Sequence, residues 1–427
     1  MSGEDAGQHE EISSKCSELH FICDNFAPEM HLDDITDHFR FLRNICTSGK
    51  SFQNSVAKHL ECIENVLKLL MNRSDNSESL QLAIRVGMQV LGNMIVSNPE
   101  NQSLVWKSCA YILSHVLNSE DEKAANYAAM VVYNIILGLG QEELMNYMDL
   151  KIIKGLLSSA CSGSEFGHFA VLSLLGIPNW LVECYPLLVS HEKYYILDVI
   201  SDHITKPGSS VEDKKEIHVS AIKFIASEFC AHSDRIFDAR VSLESDSKVT
   251  ELFESASPCE YTKLLDVLAS VASNEAYLPL LQSDGPLLVH SIYLLKSIHA
   301  SGKAAEEKGD LSHPFAPIKN LRAAESSKIA VDFHPAYGFK RSLIQLIGNL
   351  AWENKEIQNK ILDLEFITQW AIVAIRNLSN GNHQVQEFIA GLNRKGVVSC
   401  ELLQQMGLTL HDPGDSSQKI SIVPLPR

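Results

Sequence analysis

Three short stretches carry residue types that catalysis could use. Gly138-Leu139-Gly140 begins like a phosphate-cradling dinucleotide loop, but it lacks the third glycine, follows a helical pattern and has no strand–helix–strand setting. Its glycines are expected to close a helix. His191-Glu192 opens like a zinc-protease helix, yet the second histidine that must stand four residues on to share the metal is absent. Gly163-Ser164-Glu165 does not complete a nucleophile elbow. The ten cysteines, at 16, 23, 46, 62, 109, 161, 184, 230, 259 and 400, form no Cys-x-x-Cys pair, so neither a zinc module nor a redox motif is written, and they read as small buried apolar residues. The 17 histidines do not gather at the short fixed offsets of metal ligands. These residues imply no catalytic set, no cofactor and no metal, and hence no enzyme.

Elements without a reaction to position must be read for what they build. Of 427 residues, 45% are apolar, enough for a sizeable core. Glycine (22) and proline (14) together make 36 residues, near 8%, against an average of about 12%, so long helices with few breakers are favoured over a turn-rich β fold. The 36 basic against 53 acidic residues leave a formal charge of −17. Nucleic-acid binding draws most of its affinity from basic groups gathered on one face, and the longest basic runs here are pairs such as Lys214-Lys215 and Lys340-Arg341, so no nucleic-acid partner is expected. The first residues, Met1 to Glu11, are polar and acidic with no apolar core of a secretion signal, which argues for a reducing compartment and, by default, the cytoplasm. Phe166 to Val189 is the most apolar stretch, but Gly176, Pro178, Asn179, Glu183 and Pro186 interrupt it, where a bilayer span wants about 20 mostly apolar residues. A buried helix pair is expected there, not a membrane span.

The chain repeats. Leu42-Arg43-Asn44, Leu91-Gly92-Asn93, Val132-Tyr133-Asn134, Ile347-Gly348-Asn349 and Ile375-Arg376-Asn377 each place an asparagine two residues after an aliphatic, near the end of an apolar helical stretch, and Leu268-Ala269-Ser270 carries serine in that slot. A glutamine follows nine residues later in four copies, at Gln53, Gln102, Gln358 and Gln386. Asn44 to Asn93 is 49 residues and Asn93 to Asn134 is 41, close to the roughly 40–47 of armadillo and HEAT units. Met88, Leu91 and Ile95 share one helix face, as do Leu343, Leu346 and Leu350, so each helix needs a neighbour to cover it. Ser97-Asn98-Pro99-Glu100 is a polar turn in which Pro99 suits a first helical turn and Ser97 or Asn98 can cap it. Apolar segments near 151–160, 166–176, 192–204 and 215–230 lack the asparagine and read as degenerate layers. The expected fold is all-α, an armadillo/HEAT-like right-handed α-solenoid whose layers are stabilised by their neighbours. From Ala300 to Gly338 the glycines, prolines and the charged cluster Lys303 to Lys308 read as an insertion, and His411 to Arg427 as a short extended or poorly ordered tail.

Gly338-Phe339-Lys340-Arg341 leading into Leu343 to Leu350, followed by Gln369-Trp370-Ala371-Ile372-Val373-Ala374-Ile375-Arg376-Asn377-Leu378, resembles the C-terminal domain of the ataxin-10 family. Phe39 to Asn44, Gly87 to Asn93 and Gln102 to Trp106 resemble that family's first repeats. The division that follows is armadillo-like repeats over 1–300, a flexible insertion over 301–337, a C-terminal ataxin-10 domain of shortened repeats over 338–410 and a tail over 411–427. What the resemblance implies is a cytoplasmic, self-associating adaptor without enzymatic activity that binds proteins. It further implies roles in cytokinesis, at the centrosome, midbody or cilium base, in a perinuclear position, and in neurite growth.

One spacing departs from the family. Asn349 and Asn377 stand only 28 residues apart, where a unit needs about 40–47. In the family a Gly-Ile-Pro helix start and an acidic loop ending in Asn-Pro precede the residue corresponding to Phe366, whereas here Leu362-Asp363-Leu364-Glu365 runs straight into it. The expected consequence of this internal deletion is lost cover over Leu346, Leu350, Ile372 and Ile375, or fusion of 355–378 into one helix.

The five asparagines, Asn44, Asn93, Asn134, Asn349 and Asn377, are the candidate protein-binding ladder. They can bond nearby backbone at helix ends, or line one face and hold an extended partner by its backbone. The alternative function is a groove-type peptide or cargo receptor resembling karyopherin armadillo proteins. Those proteins set a tryptophan four residues before each asparagine, where this chain has Arg40, Gln89, Met130, Gln345 and Val373. Without the aromatic half, which normally grips basic side chains, a scaffold is the favoured reading.

Overall fold

The computed structural model describes residues 3–24, 32–74, 77–205, 216–238, 256–309, 315, 338–363, 408–411 and 421–424. The chain divides into two compact units, Met1–Ile357 and Gln358–Arg427. The helices of the first unit begin where short polar residues can cap them. Ser77 caps Glu78–Ile95 (α5), Asp121 caps Glu122–Gly138 (α7), Asp149 caps Leu150–Cys161 (α9), Ser164 caps Glu165–Leu175 (α10) and Asp284 caps Gly285–Lys308 (α16), each side chain accepting from an N–H of the first turn. Such caps satisfy donors that the helix itself leaves open.

The apolar stripes then stack the helices in two rows. In the first row Leu32–Ile45 (α2) packs on α5, α5 on α7 and α7 on α10. Farther along, Ser190–Thr205 (α12) packs on Ala256–Val271 (α14), and α14 on Phe339–Leu350 (α17). The second row sets Leu60–Met71 (α4) against Pro99–Leu117 (α6), and α6 against α9. Gly3–Asp24 (α1) packs on α4, and Lys50–Ala57 (α3) on α5. Met88, Leu91, Ile95, Leu343, Leu346 and Leu350 are all fully buried, as the stripes require. The largest fully buried side chains are Trp106, Trp180, Tyr185, Phe39, Phe229 and Phe339 among the described residues. This is an α-solenoid of the armadillo kind.

The degenerate stretch builds full layers. Its segments appear as α9, α10, α12 and Val219–His232 (α13). The apolar stretch at 166–189 is a bent pair, Glu165–Leu175 and Trp180–Leu187, turning through 107°, the first part of the latter being Trp180–Cys184 (α11). Among the described residues no single helix is long and apolar enough to cross a membrane.

Several expectations are corrected. Helix α16 runs past residue 300 to Lys308, because Lys303 to Lys308 are good helix formers, and it ends where Gly309 adopts the left-handed conformation at φ 71°. Of the remaining insertion only Phe315 is described. Leu346 and Leu350 are not uncovered, because α14 and α16 of neighbouring layers lie against their helix. Ile372, Ile375, Trp370 and the expected long helix fall outside the described residues, since Lys355–Asp363 (α18) is described only to Asp363. In the second unit an antiparallel hairpin joins Leu408–His411 (β1), which starts ahead of the expected tail, to Ser421–Pro424 (β2) within it, in the register Leu408 opposite Pro424 and His411 opposite Ser421.

Candidate protein-binding ladder

Asn93 sits half-buried near the end of α5, and its Nδ2 donates to the Arg43 carbonyl at the end of α2, 3.0 Å away. Asn349, near the end of α17, repeats the gesture toward the Ala269 carbonyl of α14 at 3.4 Å. Each asparagine thus ties its helix back to the preceding helix of its row. Asn134 instead donates to Met130 O of its own helix at 3.1 Å, and Ser270 returns its hydroxyl to Asp266 O at 2.9 Å. Asn44 is exposed, and its side-chain oxygen accepts from its neighbour Arg43 at 3.0 and 2.9 Å. Asn377 lies outside the described residues.

The glutamines reach the other way. Gln53 Nε2 donates forward to Asn93 O at 3.0 Å and Val96 O at 3.2 Å, carbonyls that the end of α5 leaves without helical partners. Gln282, at the end of the short helix Leu278–Gln282 (α15), does the same for Leu350 O at 3.1 Å and Trp352 O at 2.9 Å beyond α17. Asparagine and glutamine therefore lace consecutive layers together in opposite directions. The nine-residue offset found Gln53 but missed Gln282, which stands twelve residues after Ser270. Gln102 closes its own turn, donating to Ile95 O at 3.1 Å.

Of the residues four places before the asparagines, Gln89 joins the same lacing, and Val373 lies outside the described residues. Arg43 NH1 donates to Gln89 Oε1 of the next layer at 2.8 Å, while Arg40 pairs with Asp37 at 2.8 Å on its own helix. Asp121, besides capping α7, accepts from Arg85 Nε of α5 at 2.7 Å, and this bond pushes the guanidinium pKa further up. Asn98 does precede Pro99 at the start of α6, yet its side chain makes no cap. Its Nδ2 turns to Gln53 Oε1 at 3.1 Å and Asn54 Oδ1 at 2.8 Å, extending the network, while Ser97 takes the left-handed turn at φ 53°.

The three catalytic lookalikes resolve into helix ends. Gly138 ends α7 with Leu139 N–H bonded to Ile135 O, and the missing side chain makes room for Gln102, whose Oε1 would lie 1.6 Å from an added Cβ. Ser164 caps α10, with Gly167 N–H donating to its Oγ at 3.0 Å. Glu192 is buried and accepts from Val189 N–H at 2.9 Å, the acidic half of a capping box at the start of α12. Cys16, Cys46, Cys109 and Cys184 are buried, and burial pushes each thiol up to about 12. Cys161, the last residue of α9, is exposed, against expectation, and Cys400 is outside the described residues. No group of three or more His, Cys, Asp or Glu is placed to hold a metal among the described residues.

Residues 363–421 match the family model described as "Spinocerebellar ataxia type 10 protein domain". The chain is 29% identical to ataxin-10 of Xenopus tropicalis over 397 residues, covering 87% of this chain and 77% of that one. It is 28% identical to ataxin-10 of Homo sapiens over 414 residues, covering 92% and 82%. A stretch of 103 residues is 31% identical to the ataxin-10 homolog of Dictyostelium discoideum, covering 20% of this chain and 17% of that one. Among solved structures, the designed armadillo repeat protein YIII(Dq.V1)4CPAF in complex with peptide (KR)4 aligns with 80% of this chain and 99% of its own, at 12% identity and a TM-score of 0.33. The relatives run along nearly the whole sequence and residues 363–421 match the terminal-domain model, so the chain is similar to ataxin-10 over most of its length.

Proposed function

We propose that this helical-repeat protein is a non-enzymatic scaffold that self-associates and joins other proteins, with the lacing amides holding the layers and the outer helical surfaces doing the binding. The observation that carries the reading is the direction of the ladder. Asn93 and Asn349 donate to carbonyls of the preceding layer, and Gln89, in the slot where a peptide-gripping receptor has its aromatic residue, accepts from Arg43. Donors already bonded inside the molecule must break those bonds before they can hold a partner's backbone, which costs about 0.5–1.5 kcal/mol for each. That argues against the groove-type cargo receptor. The cytoplasmic location and the roles in cytokinesis, at the centrosome or cilium base and in neurite growth are carried over from the family on the same terms.

Light scattering on the purified full chain tests self-association, and proximity labelling in dividing and resting cells tests the scaffold role. An oligomer at micromolar concentration, labelling a set of neighbours that changes with division, supports the proposal. A strict monomer that binds a Lys- and Arg-rich peptide with micromolar affinity would replace it with the receptor reading.

A further inference from the structure

Phe315, the described residue of the stretch between α16 and α17, is 3% exposed although it follows Pro314 in a segment rich in turn formers. Its ring sits against Phe237, with centroids 5.8 Å apart and edge-on, and against Phe339, 6.5 Å away and tilted. Its carbonyl oxygen accepts from Lys340 Nζ at 3.2 Å, and that ammonium also stands 5.9 Å from the ring centroid. On the remaining side lies Gly302 of α16. A Cβ built there would fall 2.1 Å from the Phe315 carbonyl oxygen and 3.0 Å from its carbonyl carbon. A glycine in a long helix costs stability relative to alanine, and here its bareness is what admits the Phe315 backbone. Lys340 is largely buried, and desolvation lowers its pKa. A desolvated ammonium needs hydrogen-bond acceptors, and the Phe315 carbonyl supplies one. These features meet an aromatic side chain and the carbonyl beside it together.

We propose that Phe237, Gly302, Phe339 and Lys340 form a binding slot for an aromatic residue and its backbone carbonyl, and that Phe315 of this chain occupies it as an internal ligand. The inference does not depend on the scaffold reading. A tethered occupant acts at an effective concentration on the order of millimolar, so a free segment of the same chemistry cannot compete measurably at micromolar concentration. The slot is closed to partners until Phe315 leaves it.

The probe is a fluorescent peptide of residues 310–320, titrated by anisotropy against the full chain. Phe315→Ala empties the slot, and this variant should bind the peptide at least tenfold more tightly than wild type. A peptide carrying the same Phe→Ala change should not bind, and adding Gly302→Ala to the emptied variant should abolish capture. Failure of a folded Phe315→Ala chain to bind, or binding that survives Gly302→Ala, overturns the proposal. Should Phe315→Ala not fold, hydrogen exchange on the Gly302→Ala chain decides instead. Uptake across 313–318 should rise about tenfold over wild type, since the new methyl expels the Phe315 carbonyl, and unchanged uptake overturns the assignment.

Discussion

Gln53 is the side chain whose loss should hurt most for its size. It is 8% exposed, donates to Asn93 O and Val96 O, and accepts from Asn98 Nδ2, whose own residue is fully buried. Gln53→Ala removes three hydrogen bonds at once. At a net value of about 0.5–1.5 kcal/mol each, the loss comes to about 1.5–4.5 kcal/mol, with the upper part reached if water cannot enter to satisfy the two carbonyls. Asn93→Ala removes one donated bond and should cost about 1 kcal/mol. Asn44→Ala, which removes an exposed side chain bonded to the adjacent Arg43, should stay within about 0.5 kcal/mol of wild type. Because layers of a solenoid can open separately, a urea curve followed by circular dichroism should be read beside hydrogen exchange of residues 85–96. The order Gln53, then Asn93, then Asn44 should appear in both, and capture of binding partners should fall no further than folding does. Equal stability of all three variants, with partner capture lost in Asn93→Ala, would refute the lacing argument and make the ladder a binding surface.

Four further outcomes follow from the same structure. Trp106→Phe keeps the buried ring but loses the Nε1 donation to Leu144 O at 2.9 Å, and a loss of about 1–3 kcal/mol should appear in urea unfolding, since a buried carbonyl is left open. Gly138→Ala places a methyl where Gln102 Oε1 now lies and should destabilise by about 1–3 kcal/mol, relieved when Gln102→Ala is added. On alkylation at pH 8, Cys161 should react before Cys16, Cys46, Cys109 and Cys184, whose thiols are raised to about 12 and so hold little thiolate until the pH approaches that value; mass spectrometry of partly labelled native protein reads the order. If the short spacing between Asn349 and Asn377 marks a lost helix, amide exchange across 340–400 should be faster than across 85–135, and inserting the family segment before Phe366 should slow it; equal protection would show that the shortened layer packs without loss.

Much of this architecture was legible because helices advertise themselves locally. The spacing of Met88, Leu91 and Ile95 within one helix names a buried face, whereas the cap expected at Ser97 or Asn98 is not made, because Asn98 bonds across to Gln53 and Asn54 instead. The lacing was legible only as a repeat of residue types. Its bonds join Asn93 to Arg43 across 50 residues and Asn349 to Ala269 across 80, so no local period contains both ends. The difference between those separations has a physical source. The chain between α14 and α17 includes α16 and the stretch that brings in Phe315, yet α17 still packs on α14 as α5 packs on α2. Contact between successive row helices is preserved while the connection lengthens, because closing a longer loop costs only about 0.6 kcal/mol per doubling, less than uncovering one buried leucine at about 1.5–3 kcal/mol. A solenoid therefore tolerates insertions between layers better than changes within them, and an offset rule such as the nine residues from Asn44 to Gln53 holds only where the intervening turn keeps its length. Where the turn lengthens, as from Ser270 to Gln282, the same bond to the next helix end is made by a glutamine at a new offset.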